Sequence, residues 1–430
     1  MLALTAILLL VFIASSLFVA AALGVLAGVL GNLYSHFPLT RAVGEIAWTA
    51  SADFNLVAVP MFILMGELLL RSGVAEAMYE ALDRWVGRIP GGLMHTNVAA
   101  SALFAATSGS SVATAATIGT IAIPNMKRYG YDPALFLGTI AAGGTLGILI
   151  PPSINMVIYG ALSETSVSDL YLAALIPGVL LAVLFSIMVL VICLLRPGLS
   201  IKSTPATWGE RFVALRHLIA PLLLFFLVVG SIYAGFATPT EASALGVMGA
   251  LALVVLRGRL TLPVLLASFE GTVRTTAMVM LIVLMAFFLN FVMSTIGLTN
   301  LATEAVKGLA WPPLAVMLAI IALYLVLGCF VETLTLMIAT TPIVVPIIKQ
   351  LGYSPVWFGV VFVILIEAAL ITPPIGMNLF VVQSVRGSGP FRDVVVGVLP
   401  FLLAMLLLIA ALLAWPELAL WLPTLVAANR

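Results

Sequence analysis

The sequence predicts an all-α polytopic membrane protein built from two inverted repeats, each with a re-entrant helical hairpin and a broken helix. Composition is the first observation: of 430 residues, 63% are hydrophobic and 8% are charged, and the mean hydropathy is +1.26. A soluble domain carries about 25% charged residues. The second observation is an internal duplication, because residues 121–152 align with residues 343–374 without a gap.

The duplication rests on nine identities, and all four prolines of each window coincide. The matching pairs are Pro124 and Pro346, Pro133 and Pro355, Pro151 and Pro373, Pro152 and Pro374, Ile121 and Ile343, Lys127 and Lys349, Gly130 and Gly352, Tyr131 and Tyr353, and Phe136 and Phe358. In a membrane protein, two such copies are typical of a transporter whose substrate site lies at the repeat interface.

Hydrophobic segments divide the chain into five parts, and a span of ~20 residues allows roughly ten to twelve crossings. Short amphipathic stretches at 36–50, 73–90, 260–274 and 297–310 predict helices in the membrane interface. The predicted parts are N-terminal span(s), an interfacial helix and scaffold elements (1–90), a first transport element (91–165), scaffold helices with a cytoplasmic loop at 196–216 (166–310), a second transport element (311–385) and a C-terminal span (386–430).

Two apolar segments have polar centres and predict re-entrant hairpins. Residues 92–125 contain Thr107-Ser108-Gly109-Ser110-Ser111, and residues 312–348 contain Glu332-Thr333-Leu334-Thr335. Each arm of about 15 residues forms ~22 Å of helix, which is too short to cross a ~30 Å hydrocarbon core. A hairpin that enters and leaves on one side accounts for that length.

The distribution of lysine and arginine predicts the orientation. With both hairpins re-entrant, fourteen basic residues fall on one side and four on the other, so the first side should be cytoplasmic. The first hairpin then opens from the cytoplasm and the second from outside, which makes the repeats inverted and places the C-terminus in the periplasm. The richer side holds Arg71, Arg84, Arg88, Lys127, Arg128, Arg196, Lys202, Arg211, Arg216, Arg257, Arg259, Arg274, Arg386 and Arg392, and the other holds Arg41, Lys307, Lys349 and Arg430.

Each hairpin precedes a helix interrupted by Pro-Pro, at Pro151-Pro152 within 132–163 and at Pro373-Pro374 within 354–384. Proline in mid-helix removes a backbone donor and clashes with the preceding turn. The freed carbonyls can bind a cation, and the half-helix beyond the break can face an anion. A structural kink is the alternative, but the duplicated Pro-Pro followed by a polar residue favours a binding site.

The hairpin tips and two buried carboxyl groups are the other candidate site residues. Serine and threonine hydroxyls suit Na⁺, although small residues also let helices pack closely. Glu332 and Glu367 lie deep in apolar sequence, where a carboxylate is costly and is a functional candidate. Glu332 could join a cation site or carry a proton, and Glu367 aligns with Thr145 shortly before the Pro-Pro break; a protonated carboxyl bonded to a neighbouring helix is the alternative for both. We expect the substrate near Thr107, Thr145, Asn155 and Glu367.

Several classes of function are disfavoured. A net charge of +1 argues against nucleic acid as a partner. There is no HExxH or Walker A motif, and Ser108-Gly109-Ser110-Ser111 lacks a credible base for a serine nucleophile. Cys193 and Cys329 lie in apolar runs and read as small buried hydrophobic residues. The sequence therefore predicts neither an enzyme nor a cofactor, and Na⁺ is the only ion expected.

At this point the chain resembles the large membrane subunit of TRAP transporters (tripartite ATP-independent periplasmic transporters). The resemblance runs in order from about residue 60 to residue 380. It rests on Pro60–Gly66, Gly91-Gly92, Phe104–Met126, Gly130-Tyr131-Asp132, Gly147–Ser153, Ile176-Pro177-Gly178, Thr238–Ala242 and Thr372–Gly376.

The resemblance implies a multi-pass protein of a bacterial or archaeal inner membrane, in contact with lipid. It implies a Na⁺-driven secondary transporter with an elevator mechanism and an ion-transporter-superfamily-like fold. The implied partners are a small four-helix membrane subunit and a periplasmic substrate-binding protein. The implied substrates are organic acids: C4-dicarboxylates, sialic acid, keto acids or sugar acids. A stand-alone Na⁺/anion symporter of similar fold, without a binding protein, is the alternative.

The resemblance also implies two Na⁺ sites at the tips and breaks. One departure is that the family usually has Asp where Glu332 stands, which keeps the carboxylate but lengthens its side chain. The residues implied for the first site are Ser108, Gly109, Ser110, Ser111, Gly147, Pro151 and Ser153, and those for the second are Glu332, Thr333, Thr335, Thr372, Pro374, Gly376 and Asn378.

Overall fold

A computed structural model describes residues 1–14, 17–199, 206–374 and 376–428, and within those ranges the regular structure is entirely helical. The N-terminal apolar run forms two short helices. The elements up to the first repeat are α1 (Leu2–Ala14), α2 (Val19–Tyr34), a 3₁₀ turn (Leu39–Ala42), α3 (Val43–Ser51), a second 3₁₀ turn (Asn55–Val57), α4 (Ala58–Arg71) and α5 (Val74–Val86).

The first repeat and the helices that follow it form the middle of the chain. They are α6 (Leu93–Ser108), α7 (Ser111–Tyr129), α8 (Pro133–Leu149), α9 (Ile154–Ser163), α10 (Val167–Leu195), a 3₁₀ turn (Pro197–Leu199), α11 (Trp208–Phe225), a π-helical stretch (Phe226–Gly230), α12 (Ser231–Tyr233), α13 (Pro239–Leu256) and α14 (Leu262–Thr295).

The second repeat repeats the pattern of the first and is followed by the C-terminal helices. These elements are α15 (Leu298–Gly308), α16 (Pro313–Gly328), α17 (Thr333–Gln350), α18 (Pro355–Leu370), α19 (Met377–Arg386), α20 (Phe391–Ala414) and α21 (Glu417–Ala428).

Six described helices are long and apolar enough to cross a membrane, or eight if each of two bent pairs counts as one span. The composition alone allowed ten to twelve spans, and the described chain has further apolar helices of 10–17 residues. α16, for example, has 16 residues and α9 has 10. The six are Val167–Leu195, Trp208–Tyr233, Pro239–Leu256, Leu262–Thr295, Thr333–Gln350 and Phe391–Ala414.

Both segments with polar centres form pairs of helices joined at those centres. α6 ends at Ser108 and α7 begins at Ser111, and the turn uses Gly109 at φ +62°. α16 ends at Gly328, and Glu332 caps the start of α17. The two arms of the first pair pack against each other, and so do those of the second.

The Pro-Pro sequences interrupt helices where the sequence predicts breaks. α8 stops at Leu149, the chain is extended at Ile150, and α9 leaves at 43° to α8 after Ser153. In the second repeat, residues 371–376 separate α18 from α19. Both Pro-Pro bonds are cis. Asp132 and Ser354 cap the two long arms, α8 and α18, and each cap is followed by a proline in the first turn.

Three of the four predicted interfacial helices are separate elements, namely α3, α5 and α15. The prediction for 260–274 was wrong as a separate helix, because these residues form the start of the 34-residue α14. Thr261 caps that helix and Pro263 lies in its first turn, and no later proline interrupts the apolar sequence up to Thr295.

The core lies along the long arms of the broken helices. From Leu135 to Leu149 every residue of α8 is buried, and α18 is buried from Trp357 to Leu370. The repeats cross: α7 of the first hairpin packs against α19, and α17 of the second hairpin packs against α9. Each hairpin therefore meets the half-helix beyond the other repeat's break.

Candidate functional site

A cavity of ≈ 600 Å³ lies where the two hairpin tips, the helix breaks and helices outside the repeats meet. Elements of both repeats supply its wall, together with α2, α4 and α14. The polar residues among its lining are Glu67, Ser108, Ser110, Ser111, Asn155, Thr275, Glu332, Thr333 and Thr335. The structure thus brings the two tips, far apart in sequence, to one space.

The first tip is a tight, hydroxyl-rich turn. Ser108 Oγ lies 2.9 Å from Thr114 Oγ1, and Thr114 Oγ1 donates to the Ser110 carbonyl at 2.8 Å. Ser110 caps α7 by accepting from Ala113 N at 3.4 Å. Ser111 Oγ donates to the Thr145 carbonyl at 3.5 Å, which ties the tip to α8. These contacts place several oxygen atoms within one turn of chain.

Two glycines let this tip and the first break come together. A Cβ on Gly147 would lie 2.6 Å from the Ser110 carbonyl oxygen, and one on Gly109 would lie 3.0 Å from the Pro152 carbonyl oxygen. Real Cβ atoms do not approach as closely as at Gly147, so that contact needs glycine; at Gly109 the contact is tight, and its φ of +62° also favours glycine. Ser108, Gly109, Ser110, Gly147 and the Pro-Pro break are therefore neighbours.

The start of α9 points a polar side chain at the cavity. Asn155 is 4% exposed and lines the cavity, and its Nδ2 has no hydrogen-bond partner among the described residues. Ser153 caps α9 by accepting from Met156 N at 3.4 Å, and its carbonyl accepts from Tyr171 Oη at 3.1 Å. A buried amide donor without a partner at a helix N-terminus is suited to an anionic group.

At the second tip, Glu332 caps its own helix. One carboxylate oxygen accepts from Thr335 N at 2.9 Å and from Thr335 Oγ1 at 3.1 Å, and the other accepts from Thr333 Oγ1 at 3.1 Å. The negative charge is therefore held at the positive end of α17. A carboxylate offers about four acceptor sites, so these bonds leave capacity to bind a cation from the cavity side.

The second break surrounds a second group of the predicted residues. Thr372 Oγ1 donates to the Ala368 carbonyl at 2.6 Å. Gly376 has φ +40°, and a Cβ added to it would lie 3.1 Å from the Thr372 carbonyl oxygen. Pro374 is exposed. The amide of Asn378 turns to the other repeat, where Nδ2 donates to the Ala141 carbonyl at 3.3 Å.

Of the four residues expected near the substrate, Asn155 is the one that lines the described wall of the cavity. Thr107 and Thr145 are buried, and their hydroxyls donate to carbonyls of their own helices, at Phe104 and Ala142. Glu367 is fully buried in α18, where its carboxyl group interacts with the backbone of Ile148 and Leu149 at the end of α8.

Sequence reasoning missed Glu67 and Thr275, which face the cavity from α4 and α14. Glu67 pairs with Arg71 one turn on, and Gly271 of α14 leaves room for its carboxylate. A carboxylate inside the apolar run of α4 was a signal that could have found Glu67. Nothing in the sequence places Thr275 opposite the tips.

A family model described as "Tripartite ATP-independent periplasmic transporter, DctM component" matches residues 6–418. The sialic acid TRAP transporter large permease protein SiaM of Vibrio cholerae is 35% identical over 374 residues, 87% of each chain. The C4-dicarboxylate TRAP transporter large permease protein DctM of Pseudomonas aeruginosa is 35% identical over 407 residues, 93% of each chain. The ectoine TRAP transporter large permease protein TeaC of Halomonas elongata is 33% identical over 371 residues, 86% of each.

Two solved structures share the fold. The YdaH transporter of Alcanivorax borkumensis superposes with a TM-score of 0.64 at 17% identity, covering 96% of this chain and 99% of that one. MtrF of Neisseria gonorrhoeae superposes with a TM-score of 0.61 at 13% identity, covering 94% of each. At these identities the likeness concerns the helical membrane architecture alone.

Proposed function

Because the chain belongs to the DctM component family of tripartite ATP-independent periplasmic transporters, whose curated members are large permease subunits, we propose that it imports a carboxylate-containing solute together with Na⁺. The solute is delivered by a periplasmic binding protein, and a small four-helix membrane subunit completes the complex in the inner membrane. The named relatives carry sialic acid, C4-dicarboxylates and ectoine, all of which contain a carboxylate group.

The observation that carries the proposal is the shared cavity. It joins both hairpin tips to the start of α9, beside the scaffold helices α4 and α14. A transporter of the inverted-repeat type needs its substrate and coupling ions at the repeat interface. The cavity is at that interface, and its ≈ 600 Å³ falls in the range of small-molecule sites.

The oxygen-rich tips fit Na⁺ as the coupling ion. Around the first tip, the carbonyl oxygens of Ser110 and Pro152 face the two glycines, and the hydroxyls of Ser108 and Ser111 lie beside them. Around the second tip, Glu332 adds a carboxylate and Thr333 and Thr335 add hydroxyls. Carbonyl, hydroxyl and carboxylate oxygens are the ligands of hard cations, and ions bind at such interrupted helices in related architectures.

The substrate carboxylate would bind at the start of α9. Neither lysine nor arginine is among the described residues that line the cavity, whereas Glu67 and Glu332 are. An anion therefore needs prior binding of Na⁺, which offsets the carboxylate charge and the exposed oxygen dipoles. With Na⁺ present, Asn155 Nδ2 and the N-terminus of α9 supply the donors. Binding should be ordered, with the cation first.

An elevator movement would carry this site across the membrane. The cavity lies between the hairpins, which belong to the repeats, and α4 and α14, which lie outside them. At this boundary α4 and the first tip approach closely at a glycine: a Cβ on Gly66 of α4 would lie 3.1 Å from the Ser108 carbonyl oxygen. A small-residue contact of this kind is compatible with sliding of one part against the other.

The test is uptake into proteoliposomes that contain this chain and the small subunit encoded beside it. A panel of labelled organic acids is presented with an inward Na⁺ gradient, with and without the neighbouring binding protein. Uptake that needs both Na⁺ and the binding protein would support the proposal and identify the solute. Equal uptake without the binding protein would favour the stand-alone Na⁺/anion symporter, and uptake indifferent to Na⁺ would overturn the coupling.

A further inference from the structure

Arg211, near the start of α11, is a buried cation without an acidic partner. Its side chain is 7% exposed, and Nε has no hydrogen-bond partner among the described residues. The three ion pairs found in the described chain do not involve it. The residues outside the description (15–16, 200–205, 375 and 429–430) include neither aspartate nor glutamate. A buried, unpaired guanidinium is costly, so a missing anion would satisfy it.

Aromatic rings hold this guanidinium in place. Its central carbon lies 5.0 Å from the ring centroid of Trp208 and 6.0 Å from that of Trp85. Trp85 Nε1 donates to the Arg211 carbonyl at 3.1 Å, which binds α5 to α11. The nearby Glu210 is engaged in a capping box with Thr207 and does not pair with Arg211. The cation is thus positioned but not neutralised.

Further basic residues lie near this end of α11: Glu210, the neighbour of Arg211, interacts electrostatically with Arg84. His217, on the same helix, interacts electrostatically with Arg84, Arg216 and Arg257, and with Glu80 as a single opposing carboxylate. Arg84 and Arg216 are exposed, and Arg257 is half-buried. Arg84 on α5, Arg216 on α11 and Arg257 at the end of α13 thus add exposed or half-buried positive charge close to His217, on the same helix as Arg211.

The same helix exposes a row of large apolar side chains. Trp208 is 65% exposed, Phe212 is 62% exposed and Leu223 is 63% exposed. Tryptophan is enriched at the membrane–water interface, where its ring sits at the level of the headgroups. A cluster of arginines above such a surface has the arrangement that attracts anionic lipid. A free phosphate would account for the charges but not for the apolar row.

We propose that Arg211, together with Arg84, Arg216 and Arg257, binds the phosphate of an anionic phospholipid whose acyl chains cover the exposed face of α11. The guanidinium suits phosphate because its planar set of donors matches the phosphate oxygens. Since α5 connects the scaffold helix α4 to the first hairpin, the bound lipid would brace α5 against α11 at the base of that hairpin.

The experiment uses the full chain with its small subunit, stripped of lipid in detergent and titrated with dioleoylphosphatidylglycerol or dioleoylphosphatidylcholine. Native mass spectrometry counts bound lipids. We expect the anionic lipid to bind more tightly, and Arg211→Gln and Arg216→Gln each to weaken it about fivefold, the effect of one basic residue near an anionic membrane surface. The matched control is Arg274→Gln, an exposed arginine that pairs with Glu270 instead.

Four results would overturn the proposal: equal affinity for the two lipids, unchanged binding in both Arg211→Gln and Arg216→Gln, the same loss in the Arg274→Gln control, or displacement of the lipid by equimolar inorganic phosphate. The same titration on the chain without its small subunit gives a fifth such result. If lipid binds the chain alone but not the complex, the subunit covers the site. If Arg211→Gln does not fold, the exposed Arg84→Gln takes its place beside Arg216→Gln.

Discussion

Gly109 decides how closely the first hairpin tip approaches the first helix break. Its φ is +62°, and a Cβ added to it would lie 3.0 Å from the Pro152 carbonyl oxygen. Gly130 has a similar φ of +74° but nothing within 4 Å of its ideal Cβ. Replacing each glycine by alanine therefore distinguishes two effects. Both variants strain a left-handed backbone, but only Gly109→Ala also crowds the contact between the tip and the break.

We expect Gly109→Ala to abolish Na⁺-dependent uptake and Gly130→Ala to leave it nearly normal. Both variants should lose about 1–2 kcal/mol of stability from the left-handed backbone, which thermal unfolding in detergent measures. Only in Gly109→Ala does the new methyl group crowd a backbone carbonyl, so that the tip and the break must shift apart by a few tenths of an ångström. Equal loss of uptake in the two variants would count against a site between tip and break.

Ser110 tests the cation site with a matched helix cap. Ser110 caps α7 and Ser354 caps α18, each accepting a backbone N–H at 3.4 Å. Replacing either by alanine should cost about 1 kcal/mol of stability. We expect Ser110→Ala to raise the Na⁺ concentration for half-maximal uptake and Ser354→Ala to leave it unchanged. Thr372→Ala at the second break should raise it as well. Normal Na⁺ activation in both Ser110→Ala and Thr372→Ala would refute the assigned sites.

Asn155 is the residue we expect to bind the substrate carboxylate. Asn155→Ala should raise the KM for the solute about tenfold or more, because hydrogen bonds to charged groups contribute about 1.5–3 kcal/mol. Its Na⁺ activation should stay normal. Asn125→Ala is the control, since Asn125 lies on α7 away from the cavity and donates to the Ile121 carbonyl at 3.2 Å. An unchanged KM would remove Asn155 from the site.

At the scale of elements, α5 couples the interface to the first repeat through buried polar groups. Tyr79 Oη donates to Asn97 Oδ1 of α6 at 2.6 Å, and Asn97 Nδ2 donates to Thr139 Oγ1 of α8 at 2.9 Å. One chain of hydrogen bonds therefore crosses three helices. Such a satisfied network fixes the position of α5 relative to the hairpin more firmly than apolar contact alone.

The same helix predicts a pH dependence of stability. Burial raises the pKa of Asp83 from its ordinary value, against the smaller lowering effects of Thr96 and Arg84. A carboxyl group with a raised folded-state pKa favours the folded protein at acid pH, and this contribution is lost as pH rises through the raised pKa. Above that range the buried charge is a net cost.

We therefore expect Asp83→Asn to raise the thermal stability of the detergent-solubilised protein at pH 8. The gain should shrink as the pH falls towards the ordinary pKa of an aspartate, because the wild-type carboxyl is then protonated. Unfolding curves from about pH 4 to pH 8, a range that reaches the ordinary pKa of an aspartate, measure it. A gain that is the same at every pH would show that charge burial is not the cause.

At the scale of the whole molecule, the two repeats are interlocked at their functional parts. α7 packs on α19 and α17 packs on α9, so each hairpin supports the half-helix beyond the other break. Asn378 adds a direct hydrogen bond from the second repeat to α8 of the first. If the tips bind Na⁺ as proposed, a change of ion occupancy at one tip acts on an element that directly contacts the half-helix beyond the other break.

The orientation of the whole chain is predicted by its basic residues. With fourteen lysines and arginines on one side and four on the other, the segment after α10 should be cytoplasmic and the C-terminus periplasmic. Alkaline phosphatase is active only in the periplasm. We expect a fusion after Arg430 to be active and a truncated fusion after Arg196 to be inactive, and the reverse pattern would invert the topology.

The sequence by itself determined the membrane class, the duplication, the family and the position of each helix break. These are local or repetitive signals: apolar runs of span length, Pro-Pro pairs, and caps such as Asp132 and Ser354 that act within one turn. The polar centre of residues 92–125 marked the first tip for the same reason, because Gly109 ends one helix in the left-handed conformation and Ser110 caps the next.

Only the tertiary structure decided which distant residues share the cavity. It put Glu67 and Thr275 opposite the tips, turned Asn378 towards α8, and left Asn155 facing the cavity while Glu367 is buried in α18. It also made 260–274 the beginning of α14. Helix periodicity states which residues share a face, but not what that face meets. The partner is chosen by packing between helices far apart in the chain, and no local pattern records that choice.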